Sequence, residues 1–330
     1  MKPVVPDSER GAALLAVLVL VVIMSGIAAG AFEKLRVSTA MAMNGASLDQ
    51  SRAYAVGVET LLALRVDDLV AESPDMTTLA GGWNGDTRTI DLPGEGQADG
   101  TITDGGNCFN LNSLVAGERP TELKPRPLGI QQFAGLMRVL GVPPGAAQTI
   151  AEASADWADS DSVPGPNGAE DGAYASGATP YRPSNTLFAE ASELRAVFGM
   201  TPEIYGKVRP FVCALPIAEL SPLNVNTLLP AQAPLIAMLA PDSVDLGAAR
   251  QVLSRRPPMG WSNISQFWQD PALKRAIMPL DAQLQAKLNT QWFALRLEVR
   301  LRGAELVETA LIDARRRPSR VAVRRWGRDE

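Results

Sequence analysis

Ala12 to Phe32 is a run of 21 residues without one charged side chain. As a helix rising ~1.5 Å per residue it reaches ~31 Å, about the thickness of a hydrocarbon core. It contains no proline, and Gly26 and Gly30 are tolerated in a membrane helix. Glu9-Arg10-Gly11 precedes it and Glu33, Lys34 and Arg36 close it. A soluble core helix is not this long and this uniformly apolar, so the run meets a membrane.

Three membrane readings are open. In the first the run is a secretory signal: Arg10 ends the charged region, Ala12 to Met24 is its apolar core, and Ala29-Gly30-Ala31 is an A-x-A cleavage site. In the second it is a plain anchor. In the third it succeeds a prepilin-type leader, cut between Gly11 and Ala12, and the apolar helix is kept. Two features favour the third. The leader is polar right up to Gly11, and the helical pattern outlasts the apolar run. Tyr54, Val58, Leu61, Arg65 and Leu69 recur at spacings of three and four, with Leu62 and Val66 alongside, and Ser73-Pro74 ends the pattern. Asn44-Gly45 is a candidate interruption.

The chemistry open to the chain is narrow. It has no histidine, which excludes Ser-His-Asp and Cys-His catalysis and removes the commonest metal ligand. The net charge of −5 does not invite nucleic acid. Arg315, Arg316, Arg317, Arg320, Arg324, Arg325 and Arg328 make the C-terminal end locally basic. It reads as a solvated tail or an edge strand, or as a surface for an acidic partner. The only cysteines are Cys108 and Cys213. Beyond a bacterial inner membrane they are expected to pair across a loop of about 100 residues; the other reading is two buried thiols.

Thr87-Arg88-Thr89-Ile90-Asp91-Leu92 and Thr101-Ile102-Thr103 read as short strands in a Gly-, Asp- and Thr-rich stretch. From Asn107 the texture is helical: helices are expected over 129–140, 146–157, 192–198, a segment opened by Thr201-Pro202-Glu203, 230–240, 245–255, 263–268 and 279–288. Phe293, Leu295, Leu297, Val299 and Leu301 then alternate with polar residues as a half-buried strand. Gly303-Ala304 is expected to turn it, 305–314 to return, and Val321-Ala322-Val323 to form a last strand. The pattern predicts an α+β fold: an N-terminal helix on an antiparallel sheet, with a helical block inserted between strands.

Asp156, Asp159, Asp161, Glu170 and Asp171 place five carboxylates around a loop containing Pro164, Gly165, Pro166 and Gly168. Such hard oxygen donors suit Ca²⁺. With Asp159 as the first position, Asp161 and Glu170 fall at the third and twelfth of an EF-hand. Val163 and Pro164 occupy the fifth and sixth, where a ligand and glycine belong, so the segment is a looser calcium loop or a solvated acidic one. Further on, Asn224-Val225-Asn226-Thr227 before two short helices resembles a SAM-like or helix-hairpin-helix unit. The surroundings are too acidic for DNA, and a compact module in which Asn224 and Asn226 cap backbone groups is the favoured reading.

The ordered set of motifs resembles the type II secretion minor pseudopilin K family. It comprises Arg10-Gly11 before the apolar helix, Phe109-Asn110-Leu111-Asn112-Ser113-Leu114, Asp156-Trp157-Ala158-Asp159-Ser160-Asp161 and Gly168-Ala169-Glu170-Asp171. Pro180-Tyr181-Arg182, Glu193-Leu194, Gly199-Met200, Leu215-Pro216 and Asn224-Val225-Asn226-Thr227 complete it. Most pilins carry Glu at the fifth mature residue. Cleavage after Gly11 puts Ala16 there, and the family resembled also lacks that acid.

The resemblance implies a pilin-like fold: leader 1–11, transmembrane and pilin helix 12–74, first part of the sheet 75–106, inserted all-helical domain 107–284 with a SAM-like part at 223–284, and second part of the sheet with a basic tail at 285–330. It implies a non-enzymatic subunit of the bacterial inner membrane, single-pass, with its C-terminal domain in the periplasm. That subunit sits at the tip of the pseudopilus with minor pseudopilins I and J, starts or caps the fibre, and supports export of folded proteins across the outer membrane. The major pseudopilin, the inner-membrane assembly platform and membrane lipid are its further implied contacts. Prepilin peptidase is expected to cut after Gly11 and N-methylate Ala12. Calcium is expected at Asp159, Asp161, Glu170 and Asp171, and a Cys108–Cys213 disulfide is expected to close the first helical part. The competing reading is a Sec-exported or anchored periplasmic binding protein or hydrolase.

Overall fold

The computed structural model describes residues 7–176 and 179–327. Residues 1–6 of the leader, and Arg328 of the basic run, lie outside them. Helix α1, Asp7–Glu72, is continuous. Asn44-Gly45 does not interrupt it, since a single glycine costs only about 1 kcal/mol and strong helix formers flank it. Residues 11–46 are exposed. From Ser51 onward one face is buried: Ser51, Ala55, Val58, Glu59, Leu62 and Val66. Helix α1 therefore has two halves with different surroundings.

Five antiparallel strands form the sheet: β1 Thr87–Leu92, β2 Gly96–Asp104, β3 Trp292–Leu301, β4 Ala304–Asp313 and β5 Arg320–Trp326, in the order β1-β2-β3-β4-β5. On β3, Phe293, Leu295, Leu297 and Val299 point into one core with Leu306, Ala310 and Ile312 of β4 and the buried face of α1. Burying each of the larger side chains contributes about 1.5–3 kcal/mol. The β3–β4 turn is Arg302-Gly303, one residue earlier than the expected Gly303-Ala304, because Leu301 pairs with Ala304. Both turn residues have positive φ, 48° and 83°, the backbone of a two-residue hairpin whose twist suits the strands. Arg320, Arg324 and Arg325 of the basic run lie on the edge strand β5.

Strands β2 and β3 are neighbours in space although 187 residues separate them: the chain leaves the sheet after Asp104 and re-enters at Trp292. The N–H of Gly105 donates to the carbonyl of Trp292 at 2.9 Å, so the two ends of the excursion meet. The inserted block thus spans 105–291, wider at both ends than 107–284.

The block has its own core and eight α-helices among the described residues: α2 Pro127–Val139, α3 Pro144–Ala158, α4 Asp171–Ala175, α5 Pro202–Val208, α6 Ala233–Ala237, α7 Leu246–Ser254, α8 Ile264–Trp268 and α9 Leu280–Leu284. Thr201, Asp245 and Asn263 accept the first backbone N–H bonds as N-caps of α5, α7 and α8. The segments expected as helices over 192–198, 230–240 and 279–288 are shorter or partly 3-10.

The block is also not all-helical. Phe109–Asn110 pairs parallel with Val212–Cys213, Val115–Ala116 antiparallel with Lys124–Pro125, and Leu223–Asn224 parallel with Ala286–Lys287. Beside the first of these bridges Cys108 and Cys213 are joined by a disulfide, their Cα atoms 5.8 Å apart.

Two N-x-N motifs build the same device twice. The side-chain oxygen of Asn110 accepts from the N–H of Asn112, and that of Asn224 from the N–H of Asn226. Each first asparagine then donates to distant acceptors: Asn110 to the carbonyls of Ile217 and Glu219, Asn224 to the carbonyl of Thr77 and the hydroxyl of Thr290. Asn226 exchanges two bonds with the backbone of Trp261. All four asparagines are buried, so these bonds keep buried polar groups satisfied while fastening remote segments.

Candidate metal centre

Helix α3 carries Glu152 and Asp156 four residues apart, on one face of its last turns. The Asp156 carboxylate accepts the N–H groups of Gly165 at 3.0 Å and Ala169 at 2.7 Å. Glu152 accepts the N–H of Asn167 at 2.6 Å and its side-chain amide at 3.0 Å. The two carboxylates thus staple the loop after α3 back onto the helix. Gly168 lies so close to this staple that a Cβ there would stand 1.8 Å from Asp156 Oδ2.

The stapled loop brings three carboxylates together. Asp159 leaves α3 at its C-terminus, Asp161 comes two residues later, and Glu170 precedes α4. One oxygen of each lies within 4.8 Å of the others. Asp159 and Glu170 are buried and Asp161 is exposed. Asp171 stands outside this trio: it opens α4 and lies 3.7 Å from Arg182.

Asn185 was invisible to sequence reasoning, because no spacing rule ties it to the acidic loop. Its amide nitrogen donates to the carbonyl of Asp161 at 2.8 Å, while its amide oxygen is buried and has no hydrogen-bond partner. An unpartnered buried amide oxygen on a side chain fastened to Asp161 is a further hard donor near the loop.

The electrostatics of the trio are unbalanced. Burial, then the charges of Asp161 and Asp156, push the Asp159 carboxyl up to about 7. Burial, then Asp159 and its neighbours, push Glu170 up to about 7 as well. Asp159 Oδ1 and both Glu170 oxygens are buried without a hydrogen-bond partner, and none of the three residues forms a salt bridge among the described residues. Buried, unpaired carboxylates are costly. A divalent cation removes that cost, and an all-oxygen set of carboxylates with an amide suits Ca²⁺, whose ligands stand about 2.3–2.6 Å from the ion. The residues present therefore fit a calcium ion held by Asp159, Asp161 and Glu170, with Asn185 beside them. Such an ion would tie the end of α3 to the start of α4.

Comparison with known proteins gives consistent matches. Two models of the type II secretion system (T2SS), protein K, match residues 107–217 and 223–289. The type II secretion system protein K of Pectobacterium carotovorum subsp. carotovorum is 32% identical over 320 residues, covering 97% of this chain and 97% of the relative. That of Klebsiella pneumoniae is 34% identical over 322 residues, with the same coverage of both chains. Among solved structures, a chain in the crystal structure of the GspK-GspI-GspJ complex from the enterotoxigenic Escherichia coli type 2 secretion system superposes with a TM-score of 0.73 at 31% identity, covering 85% of this chain and 97% of that one.

Proposed function

Because the chain belongs to the type II secretion system protein K family, we propose that it is a minor pseudopilin at the tip of the pseudopilus. In this reading it starts or caps the fibre with minor pseudopilins I and J and supports export of folded proteins across the outer membrane. It is a structural subunit and not an enzyme.

The observation that carries the reading is the division of α1. Its second half is buried against the sheet, and its first half, residues 11–46, is exposed and apolar over Ala12 to Phe32. So much apolar surface needs a partner. Lipid supplies one before assembly, and neighbouring pseudopilin helices, including those of the major pseudopilin, supply one afterwards. The helix is long enough and apolar enough to cross a membrane once. This supports a single-pass protein of the inner membrane with its C-terminal domain in the periplasm, mounted by the assembly platform.

Ala16 offers no carboxylate to a neighbouring N-terminus, and the bulk of the inserted block hinders addition of a subunit above it. Both favour the end of a fibre over its middle. The pilin-like character rests on α1 and the antiparallel sheet, and the SAM-like character of 223–284 on the succession of short helices α6 to α9. Calcium at the acidic trio would hold the insertion rigid.

The experiment is N-terminal sequencing of the mature protein by mass spectrometry. N-methylated Ala12, the product of prepilin peptidase, is the expected result. A mature chain beginning at Phe32 would mean a Sec-exported periplasmic protein instead. Co-expression is a second check: the periplasmic domain is expected to form a heterotrimer with subunits I and J, and persistent monomers at micromolar concentration would count against the tip.

A further inference from the structure

The fold divides the basic C-terminal run into two sets. Arg324 and Arg325 on β5 are committed, the first to Glu59 and Glu308 and the second to Glu190. Arg315, Arg316 and Arg317 instead form the β4–β5 turn and line one wall of a cleft of about 990 Å³. The opposite wall is α9 and the segment after it, with Asp281, Leu284, Gln285 and Lys287. The end of α1, at Val70 and Pro74, and the inserted block, at Arg126, Pro127 and Glu219, complete it.

Five cationic side chains line this cleft against two carboxylates, Glu219 and Asp281. Arg315 is held in place: it forks Asp313 at 3.0 and 2.8 Å, and its guanidinium lies 4.7 Å from the centre of the Trp292 ring. Arg126 spends its fork on the carbonyls of Ser113 and Ala218. Lys287, Arg316 and Arg317 have no carboxylate within salt-bridge range among the described residues. The lining thus has a net positive charge concentrated on the Arg315–Arg317 turn, where Glu219 approaches Arg315 at 3.7 Å, with Lys287 unpaired among the residues after α9.

A further observation defines the ligand. Leu284 is exposed beside Pro127, Leu128 and Pro222, giving an apolar strip next to the charges. A lipid headgroup is the wrong source of anion: Val70 lies 38 residues beyond Phe32 on α1, about 57 Å along the helix axis. That is several times the Debye length of about 8 Å. This distance rests on the proposed anchoring of α1 in the membrane.

We propose that the cleft between the Arg315–Arg317 turn and α9 binds an extended acidic peptide segment of a protein partner. Carboxylates of the segment pair with Arg316, Arg317 and Lys287, and an apolar residue of it packs on Leu284.

The test uses the full chain in detergent and a fluorescein-labelled peptide alternating Glu and Leu, with its Lys-for-Glu counterpart as control, read by fluorescence anisotropy. The acidic peptide should bind saturably, and about tenfold more weakly when salt is raised so that the Debye length shrinks to about 3–4 Å. Arg316→Glu with Arg317→Glu, both exposed, should weaken it about tenfold or more, and Leu284→Ala should weaken it without changing the salt response. If the charge-reversed chain does not fold, Lys287→Gln across the cleft gives the same reading. Equal binding of the Lys counterpart, or unchanged affinity in the folded charge variants, would overturn the proposal. Displacement of the peptide by glycerol phosphate at matched ionic strength would assign the cleft to a phosphate and overturn it too. None of these outcomes depends on where the N-terminus is cut, so the tip reading stands or falls separately.

Discussion

Asp104 and Thr290 lie 186 residues apart, and the hydroxyl of Thr290 donates to the Asp104 carboxylate at 2.5 Å. The same carboxylate accepts from Thr227 at 2.6 Å and from the N–H groups of Gly106 and Asn107. It sits where the chain leaves the sheet, and Thr290 where the chain returns. Burial raises the Asp104 carboxyl above the ordinary range despite its four donors. The junction of the inserted block with the sheet is therefore a buried polar knot. Asp104→Ala takes the acceptor from Thr290 and from the N–H groups of Gly106 and Asn107, while Thr227 retains the carbonyl of Asn224, and should cost about 2–4 kcal/mol in chemical denaturation. Asp104→Asn should recover part of that loss. An alanine variant as stable as wild type would mean that the knot does not hold the junction.

Calcium is expected to stabilise the chain by about 2.7 kcal/mol at a hundredfold excess over its dissociation constant. Asp159→Ala with Glu170→Ala should abolish the difference in melting temperature between calcium and chelator. Trp157, two residues from Asp159, should sensitise terbium luminescence in wild type only. Protons compete for the same oxygens: Asp159 and Glu170 are held near 7 without metal, so the stabilisation should fade as pH falls through about 7. Identical melting with calcium and with chelator at neutral pH would rule the site out.

Gly168→Ala should weaken calcium binding more than it disturbs the fold. A Cβ there collides with Asp156 Oδ2, which must then release the N–H of Ala169 beside Glu170. An affinity loss of about tenfold by terbium titration is expected, with the core of the block intact by near-ultraviolet circular dichroism. Unchanged affinity would show that the staple does not shape the site.

Glu308 of β4 is fully buried against Glu59 of α1, and Arg324 of β5 is the cation facing both. Burial, then Glu59, pushes the Glu308 carboxyl up to about 8, while the hydrogen bonds from Arg324 and Glu308 hold Glu59 low against its burial. The folded chain keeps a proton on Glu308 that the unfolded chain loses near the ordinary value. Stability from this group is therefore full at low pH and is lost as pH rises through about 8. Glu308→Gln keeps a donor for Glu59 and removes the charge, so it should flatten that decline and raise the melting temperature at pH ~9 by ~2 °C or more. A variant with an unchanged pH profile would refute the assignment.

Replacing Cys108 and Cys213 by serine opens a loop with a sequence separation of 105 residues. The loss should be about 4 kcal/mol in the loop-entropy model. Wild type under reducing conditions should melt at the same lower temperature as the variant, and a difference between them would point to damage from the serines themselves.

Much of the architecture was legible locally. The alternation from Phe293 to Leu301 announces β3, and Thr201, Asp245 and Asn263 announce the starts of their helices, because a strand's period and a helix cap involve only a few consecutive residues. The candidate site was partly legible. Asp159, Asp161 and Glu170 share one loop, so spacing found them. Spacing also offered Asp171, which the fold gives to Arg182, and it could not find Asn185, which reaches Asp161 from outside the loop.

By itself the sequence determined an apolar run in α1 long enough to cross a membrane, the positions of the sheet strands and the acidic loop, since each rests on period, length or composition within a short window. Only the tertiary structure decided which polar groups are buried together: Asp104 with Thr227 and Thr290, Glu308 with Glu59 and Arg324, and Asn224 with Thr77. The reason is packing between segments remote in the chain: the insertion of 105–291 returns to the sheet beside Asp104, and α1 docks Glu59 against Glu308 and Arg324. Such packing brings residues far apart in the chain to one point and removes water from them. Hydrogen bonds and charges weak in solution become strong there, and no local pattern records them.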